Sequence, residues 1–313
     1  MTTVSNIPTP HNEPVLDYAP GSAARAQLKA ALAQTTGETA EIPGFVGGRE
    51  IHGDATVAVT APHRHAHELG RLHQLGAAQV RAAIDAAVEA QREWAAWPFA
   101  ERAAVFLKAA DLVAGPWRAR LNAATMAGQS KTAVQAEIDA ACELADFLRF
   151  NVHFAERLLA EQPQSSAGAW NRVDYRPLEG FVYAISPFNF TAIGGNLATA
   201  PALLGNTVVW KPATAAALSN WRVMEVLREA GLPDGVINFV PGEAVAVTRE
   251  VIADPRLAGV HFTGSTSVFQ STSARLPPLI LAELPELRAR RVVPSPLPKR
   301  IAAAPGALGW PGG

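Results

Sequence analysis

Two short polar segments each follow an apolar run and carry side chains that could bind or polarise a ligand. Asn189 lies in the turn sequence Ser186–Phe190, directly after the run Phe181–Ile185. Lys211 directly follows a second run, Thr207–Trp210. An amide can stabilise an oxyanion without protonating it, and an ammonium can donate hydrogen bonds to hydroxyl or phosphate oxygens. The two segments therefore predict one ligand site, provided that the fold brings them together.

The elements around these segments predict that the fold does so. Both runs are continuously apolar, which is typical of parallel strands covered by helices on both faces. Thr191–Leu204 between them predicts a helix, and ligands of such βαβ sheets bind beyond the carboxyl ends of the strands. Strands and helices alternate along the chain without an internal repeat, which predicts a doubly wound α/β sheet. The other predicted elements are helices Ser22–Gln34, Ala77–Trp94, Ala100–Val113, Lys131–Glu161, Ala215–Ala230 and Ala244–Ile252, strands Val236–Val240 and Gly259–Thr263, and a hairpin in Glu41–Thr60.

Five stretches of the sequence resemble aldehyde dehydrogenases. They are NEPVLDYAPGS (12–22), GQSKTAVQAEIDAACELADFLRFN (128–151), SPFNF with its flanking strands (180–211), GLPDGVINFVPG (231–242) and HFTGST (261–266). They occur in order over about the first 270 residues, which makes the match more specific than a single motif. Within the superfamily they resemble the 1-pyrroline-5-carboxylate dehydrogenases.

This resemblance implies a fold, a reaction and a cofactor. The fold would be an incomplete doubly wound, mostly parallel NAD-binding domain with N-terminal helices, lacking the catalytic domain. The reaction would be the NAD-dependent oxidation of an aldehyde, L-glutamate γ-semialdehyde, to L-glutamate in proline catabolism. Members of the family form homo-oligomers, which we leave open for this chain.

The resemblance also implies roles for individual residues. Asn189 would donate to an oxyanion and Lys211 would bind the ribose of the cofactor; outside the family they are a turn residue and a solvated lysine. Ala213 and Thr214 replace an acidic residue of many relatives, so the choice of NAD over NADP rests on the subfamily. The other cofactor-binding residues implied are Ile185, Ser186, Pro187, Phe188, Gly242, Gly264 and Ser265.

Phosphate binding is assigned to one helix start. No G-x-G-x-x-G sequence occurs, but Phe262-Thr263-Gly264-Ser265 ends a predicted strand and opens a helix. Backbone N–H groups there can hold a pyrophosphate, and Gly264 permits close approach. Simple capping of the helix by Ser265 uses the same geometry, so both interpretations stay open.

The chain contains one cysteine, Cys142. Aldehyde oxidation of this type requires a thiolate nucleophile and a general base. Cys142 follows Ile138 by four residues on the predicted packed face of a long helix, so we interpret it as an inert apolar residue. Glu283 and Glu286 carry no motif of the family's general base. The alternative function is therefore a catalytically inactive, truncated or frameshifted fragment that retains at most part of the nucleotide site.

Three regions are predicted along the chain. Residues 1–40 form a lead-in and a helix, and residues 41–270 form a partial dinucleotide-binding domain. Within it, a strand near residues 172–177 corresponds to an arm that the family exchanges between subunits. Residues 271–313 contain eight of the 24 prolines, and their apolar residues follow no sustained period. These features predict a disordered, non-native tail. We interpret this tail as the result of a reading frame lost near Gln270, with a disordered interaction segment as the alternative.

Composition excludes several classes of function. A net charge of −1 with 18% charged residues argues against nucleic-acid and membrane partners. A single cysteine fits a reducing compartment, and no signal or transit peptide is recognised, so a cytoplasmic location is predicted. The sequence HRHAH at His63–His67 puts three histidines on one face of an extended segment without a partner at a recognised spacing. It predicts a surface turn and no metal site.

Overall fold

A six-stranded sheet and a three-stranded sheet organise the fold, and the computed structural model describes residues 7–274. The chain divides into two units, Met1–Ser265 with both sheets and Thr266–Gly313 with one described helix. The strands are β1 (Ala40–Ile42), β2 (Gly44–Val46), β3 (Arg49–Ile51), β4 (Ala55–Ala61), β5 (Arg64–Gln74), β6 (Phe181–Ile185), β7 (Thr207–Lys211), β8 (Ile237–Phe239) and β9 (Leu257–Phe262). The α-helices are α1 (Ala23–Gly37), α2 (Ala77–Ala96), α3 (Phe99–Ala114), α4 (Arg118–Gln129), α5 (Ala133–Ala136), α6 (Leu144–Ala160), α7 (Thr191–Leu203), α8 (Ala217–Ala230), α9 (Ala244–Ala253) and α10 (Thr266–Ser273). A π-helix (Glu137–Glu143) joins α5 to α6, and a 3-10 turn (Thr214–Ala216) precedes α8.

The six-stranded sheet has the order β3-β2-β8-β7-β6-β9. Strands β8, β7, β6 and β9 are parallel, whereas β2 is antiparallel to both of its neighbours, β3 and β8. Helix α7 connects β6 to β7, so the predicted βαβ unit is present. The predicted doubly wound, mostly parallel sheet is confirmed.

Close packing around α7 holds this unit together. Tyr183 of β6 and Trp210 of β7 are fully buried, as their continuous apolar runs predict. On α7, a Cβ atom added to Gly194 would lie 2.5 Å from Asn220 Oδ1 of α8. One added to the adjacent Gly195 would lie 2.9 Å from a methyl group of Leu144 at the start of α6. Glycine at these two positions therefore lets three helices approach closely.

The predicted elements do not include the three-stranded sheet, whose order is β1-β5-β4. Of the surface turn predicted for His63–His67, only His63 lies in a turn, because β5 begins at Arg64 and includes His65 and His67. The register between β4 and β5 shifts on both sides of Thr60. A register shift turns the following side chains to the other face, so simple alternation does not describe the three histidines.

A π-helix interrupts the predicted helix Lys131–Glu161. Its i→i+5 hydrogen bonds insert one residue and rotate the side chains relative to an α-helical pattern. Ile138, which the sequence analysis puts on the packed face, is 49% exposed, whereas its neighbour Glu137 is fully buried. Beyond the π-helix the predicted packed face is observed, with buried Leu148, Val152 and Ala155.

Arg172–Pro177, predicted as an arm strand, belongs to no strand of the structure. The one pairing assigned between α6 and β6 is an isolated bridge between Ser166 and Ala169. A strand requires a neighbouring strand for its backbone groups, and in the described part of the chain no strand pairs with Arg172–Pro177; the Val173 N–H donates to the side chain of Gln162 instead, at 3.0 Å. An exchanged arm thus stays a prediction for an assembly.

The described residues end soon after α10, which forms the described part of the second unit. This helix runs to Ser273, three residues into the predicted tail 271–313, so those residues are helical rather than irregular. Residues 275–313, with Glu283 and Glu286, lie outside the described part of the chain. None of the helices within residues 7–274 combines the length and apolar character that a membrane span requires.

Candidate functional site

The carboxyl ends of neighbouring parallel strands bring the predicted site residues together. Ile185, the last residue of β6, pairs with Lys211 of β7 on one side and with Phe262 of β9 on the other. Beyond these pairs, the Ser186 N–H donates to Lys211 O at 3.2 Å. The Thr263 N–H donates to Ile185 O at 3.3 Å. The segments on three strands that are predicted to bind a ligand are therefore adjacent.

The fourth strand extends this edge of the sheet. The Val240 N–H donates to Trp210 O at 2.8 Å, which fixes the end of β8 beside β7, and Gly242 follows two residues later. Gly264 and Ser265 follow β9 at the other side and are exposed. The order along the edge is therefore Gly242, Lys211, Ser186 and Gly264.

Ser186 anchors the turn after β6. Its Oγ accepts a hydrogen bond from Trp210 Nε1 at 3.0 Å and donates to Asn220 Oδ1 at 3.2 Å. Ser186 and the following Pro187 are both buried. The hydroxyl of Ser186 thus acts within the protein, where it fixes the direction of the loop that carries Asn189.

The tip of this loop faces outward. Phe188 is 67% exposed, and Asn189 is exposed as well. The side chain of Asn189 makes no hydrogen bond with any described residue. The alternative in which the amide bonds its own backbone as a turn residue is therefore not observed. Both amide N–H groups are available to a ligand oxygen.

Lys211 is buried, in contrast to the solvated surface lysine that was the alternative interpretation. It is 7% exposed, and its Nζ donates to Pro212 O at 3.1 Å. Burial lowers the pKa of Lys211, against the opposing effect of the Glu243 carboxylate. An ammonium has three donor hydrogens, and within residues 7–274 only that one acceptor is bonded to it. The remaining donors suit hydroxyl groups of a ligand.

The two glycines of the site differ in their surroundings. A Cβ atom at the buried Gly242 would lie 2.5 Å from Val247 Cγ2 and 3.1 Å from Leu75 O, so glycine allows the loop to pack under α9. Gly264 is exposed, and a Cβ atom there would first meet the ring of Phe262 at 2.6 Å. Gly242 therefore serves packing, whereas Gly264 leaves its backbone accessible.

Asp139 of the π-helix holds the start of α7, a role that the sequence analysis does not predict. Its Oδ2 accepts a hydrogen bond from the Thr191 N–H at 3.0 Å, and its Oδ1 accepts one from the Ala192 N–H at 2.9 Å. Lys131 Nζ lies 2.6 Å from Asp139 Oδ2 and 4.3 Å from the ring centroid of Phe190. The signal for this contact is Phe190 itself, because an apolar N-cap residue leaves the first N–H groups of a helix without a local acceptor.

The side chain of Thr191 adds a second connection. Its Oγ1 lies 2.8 Å from Thr125 Oγ1, accepts a hydrogen bond from Gln129 Nε2 at 2.8 Å, and donates to Ser219 Oγ at 2.9 Å. These partners lie on α4 and α8. Together with Asp139 of the π-helix, α4 and α8 thus fix Thr191, the residue that follows the Asn189 loop.

Cys142 lies in a buried ionic cluster. Its Sγ lies 3.5 Å from Arg118 Nη2, 3.7 Å from Glu137 Oε1 and 3.7 Å from Pro14 O. Burial and the Glu137 carboxylate raise the pKa of the Cys142 thiol to about 12. No predicted site residue is among its partners, which supports the interpretation of Cys142 as an unreactive thiol.

Known proteins match both this sequence and this fold. The profile of the Aldehyde dehydrogenase family matches residues 50–280, so the match extends about ten residues beyond the predicted limit of the resemblance near residue 270. The delta-1-pyrroline-5-carboxylate dehydrogenase of Emericella nidulans, named as mitochondrial, is 53% identical over 267 residues, covering 85% of this chain and 46% of the relative. The corresponding mouse protein, also named as mitochondrial, is 49% identical over 83% of this chain and 46% of its own length.

Solved structures agree with these sequence matches. The delta-pyrroline-5-carboxylate dehydrogenase of Mycobacterium tuberculosis bound with NAD has a TM-score of 0.87 at 54% identity, covering 90% of this chain and 52% of that one. A Thermus 1-pyrroline-5-carboxylate dehydrogenase with bound NAD has a TM-score of 0.80 at 30% identity, covering 86% of this chain and 52% of that one. The chain thus spans about half the length of the relatives that it matches. From its motifs, its sheet and these matches, the chain belongs to the aldehyde dehydrogenase family.

Proposed function

We propose that this chain provides the dinucleotide-binding half of an NAD-dependent dehydrogenase that oxidises L-glutamate γ-semialdehyde, formed from 1-pyrroline-5-carboxylate, to L-glutamate in proline catabolism. One observation carries the proposal. Gly242, Lys211, Ser186 and Gly264 lie on adjacent ends of parallel strands, where sheets of this type bind nucleotides. The names of the relatives supply the substrate.

The residues at this edge fit a dinucleotide. Lys211 can donate two hydrogen bonds to the ribose hydroxyls without losing its bond to Pro212 O. The exposed backbone of Gly264 allows close approach of the phosphates, and Ile185 to Phe188 lie at the end of β6, between the ends of β7 and β9. When bound, NAD accepts the hydride that leaves the substrate carbon.

Asn189 is assigned to the substrate. An amide N–H stabilises negative charge on the substrate oxygen because it donates a hydrogen bond and keeps its proton. Its position after a turn anchored by Ser186 and before a helix anchored by Asp139 reduces the reorganisation required for this contact. The amide thus acts by orientation rather than by proton transfer.

The environment of Cys142 favours a second candidate function, in which this chain binds a nucleotide but does not catalyse oxidation of the aldehyde. Cys142 is the one cysteine of the chain, and its raised pKa keeps it protonated at neutral pH. Loss of a covalent nucleophile lowers the rate by several orders of magnitude. Dehydrogenase activity is therefore assigned to a protein that also supplies a reactive thiol. Location in the cytoplasm and homo-oligomeric assembly also stay proposals.

NAD titration followed by calorimetry tests the nucleotide site. Binding is expected to be saturable and to weaken by about tenfold in Lys211→Met, which removes the hydrogen-bond donors but keeps the aliphatic stem. The matched control is Lys29→Met, at an exposed position of α1, with unchanged affinity expected. Absence of saturable binding, or equal affinity in Lys211→Met, contradicts the proposal.

A turnover assay tests whether this chain is inactive by itself. With NAD and the semialdehyde, no reduction above the blank is expected from this chain. Turnover that is lost in Cys142→Ala contradicts the inactive candidate and makes Cys142 the nucleophile. Asn189→Ala is expected to bind NAD normally, because its amide is assigned to the substrate.

A further inference from the structure

A cavity of about 520 Å³ lies between α1, α4 and the turn that joins β4 to β5. Its volume is within the range of small-molecule sites. Its wall is apolar, formed by the side chains of Leu32, Ala61, Leu69, Met126 and Ala127. None of the residues of the proposed nucleotide site lines it.

The rim of this cavity is cationic. Arg64 and Lys131 line it together with His63 and His67, and none of its described lining residues is acidic. Lys131 is paired with Asp139 at 2.6 Å, whereas Arg64 has no ion pair with any residue of the described chain. An arginine is always charged and binds carboxylates through two donors in a plane. Arg64 is therefore the group best placed to bind an anion.

The segment His63–His67, which carries three of these groups, is held at its first residue. His63 Nδ1 lies 2.8 Å from Ser130 Oγ, at the end of α4. Ser130 has a left-handed backbone with φ 54°, which ends the helix and directs the chain to Lys131. The His63–Ser130 contact therefore joins the two segments that carry the basic residues of the rim.

We propose that this cavity binds an organic carboxylate with an apolar chain. The apolar wall would take the chain, because removal of methylene groups from water is favourable. Arg64 would bind the carboxylate at the rim, with His63 and His67 as further donors. The sequence HRHAH, which the proposed dehydrogenase function does not use, thereby acquires a role as an anion-binding segment at the start of β5.

The probe for this site is octanoate, titrated into the protein and followed by calorimetry. Octanamide has the same chain length without the charge and is the matched ligand control. Octanoate is expected to bind saturably and about fivefold or more tightly than octanamide, which corresponds to one hydrogen-bonded charge at a partly solvated site. Absence of saturable octanoate binding, or equal binding of octanamide, overturns the proposal.

Three variants locate the binding. Arg64→Gln is expected to weaken the binding of octanoate by about fivefold and to leave the affinity for octanamide unchanged. The control is His65→Gln, which changes an exposed neighbour that does not line the cavity and is expected to have no effect. Thr36 is an exposed residue of α1 that lines the cavity. Its replacement in Thr36→Trp fills part of the cavity and is expected to weaken the binding of both ligands. Octanoate binding that is unchanged in both Arg64→Gln and Thr36→Trp places the ligand elsewhere and overturns the assignment.

Discussion

The carboxylate of Asp139 accepts a hydrogen bond from the backbone N–H of Thr191, 52 residues further along the chain. A side chain of the π-helix thereby replaces the N-cap that Phe190 does not provide to α7. Since Thr191 follows the loop of Asn189, the orientation of this loop depends on a residue of a different element.

Replacement of Asp139 by Ala is expected to destabilise the protein by about 3 kcal/mol. The change leaves two helix N–H groups without an acceptor and Lys131 without its buried partner. Chemical denaturation gives the free energy of unfolding. Asp174→Ala, at an exposed carboxylate, is the control and is expected to have little effect. A loss below about 1 kcal/mol for Asp139→Ala contradicts the assigned capping role.

The carboxylate of Glu137 makes the free energy of unfolding depend on pH in the acidic range. Burial raises the pKa of Glu137, but hydrogen bonds from Arg118 and Tyr18 outweigh this effect and lower it below 4.5. A carboxyl group with a lowered pKa stabilises the fold above its unfolded-state pKa, and this contribution is lost as the pH falls through the folded-state value. In Glu137→Gln, stability at neutral pH is expected to be lower and its decline in acid to be shallower. Equal slopes of stability against pH below 4.5 in both proteins contradict this account.

Cys142 is expected to react very slowly with thiol reagents while the protein is folded. A pKa raised from 9.0 to about 12 lowers the thiolate fraction roughly a thousandfold at a given pH. Labelling with a chromogenic disulfide reagent measures this directly, before and after unfolding in urea. Rapid labelling of the native protein contradicts the burial of this thiol in its ionic cluster.

Gly194→Ala is expected to destabilise the protein by about 1–2 kcal/mol. Alanine is the better helix former, but its Cβ would lie 2.5 Å from Asn220 Oδ1, and this overlap outweighs the gain in propensity. The control is Gly37→Ala at the end of α1, where nothing lies within 4 Å of the added atom. Thermal melting compares the two. Similar melting temperatures for both variants show that α7 and α8 can separate without cost.

Local patterns predicted the central βαβ unit well, because its strands are apolar on both faces and its turns contain Pro and Gly. They failed where tertiary structure overrides local preference. An α-helical repeat assigns Glu137 to solvent, but an inserted residue turns it toward Arg118, which lies on another helix. The motifs located Lys211 and Asn189, whereas Asp139 and Ser219, which hold Thr191 after the Asn189 loop, are identified by contacts between residues distant in sequence.

The π-helix also has a consequence for how this segment tolerates changes of length. A π turn contains one residue more than the α-helix on either side needs, so removal of one residue from Glu137–Glu143 leaves a chain that can close into continuous α-helix. The backbone would accept the deletion, but Glu137 and Asp139 could not both keep their inward contacts. A natural or engineered deletion here would therefore preserve helix content and still detach either the N-terminal lead-in or the Asn189 loop.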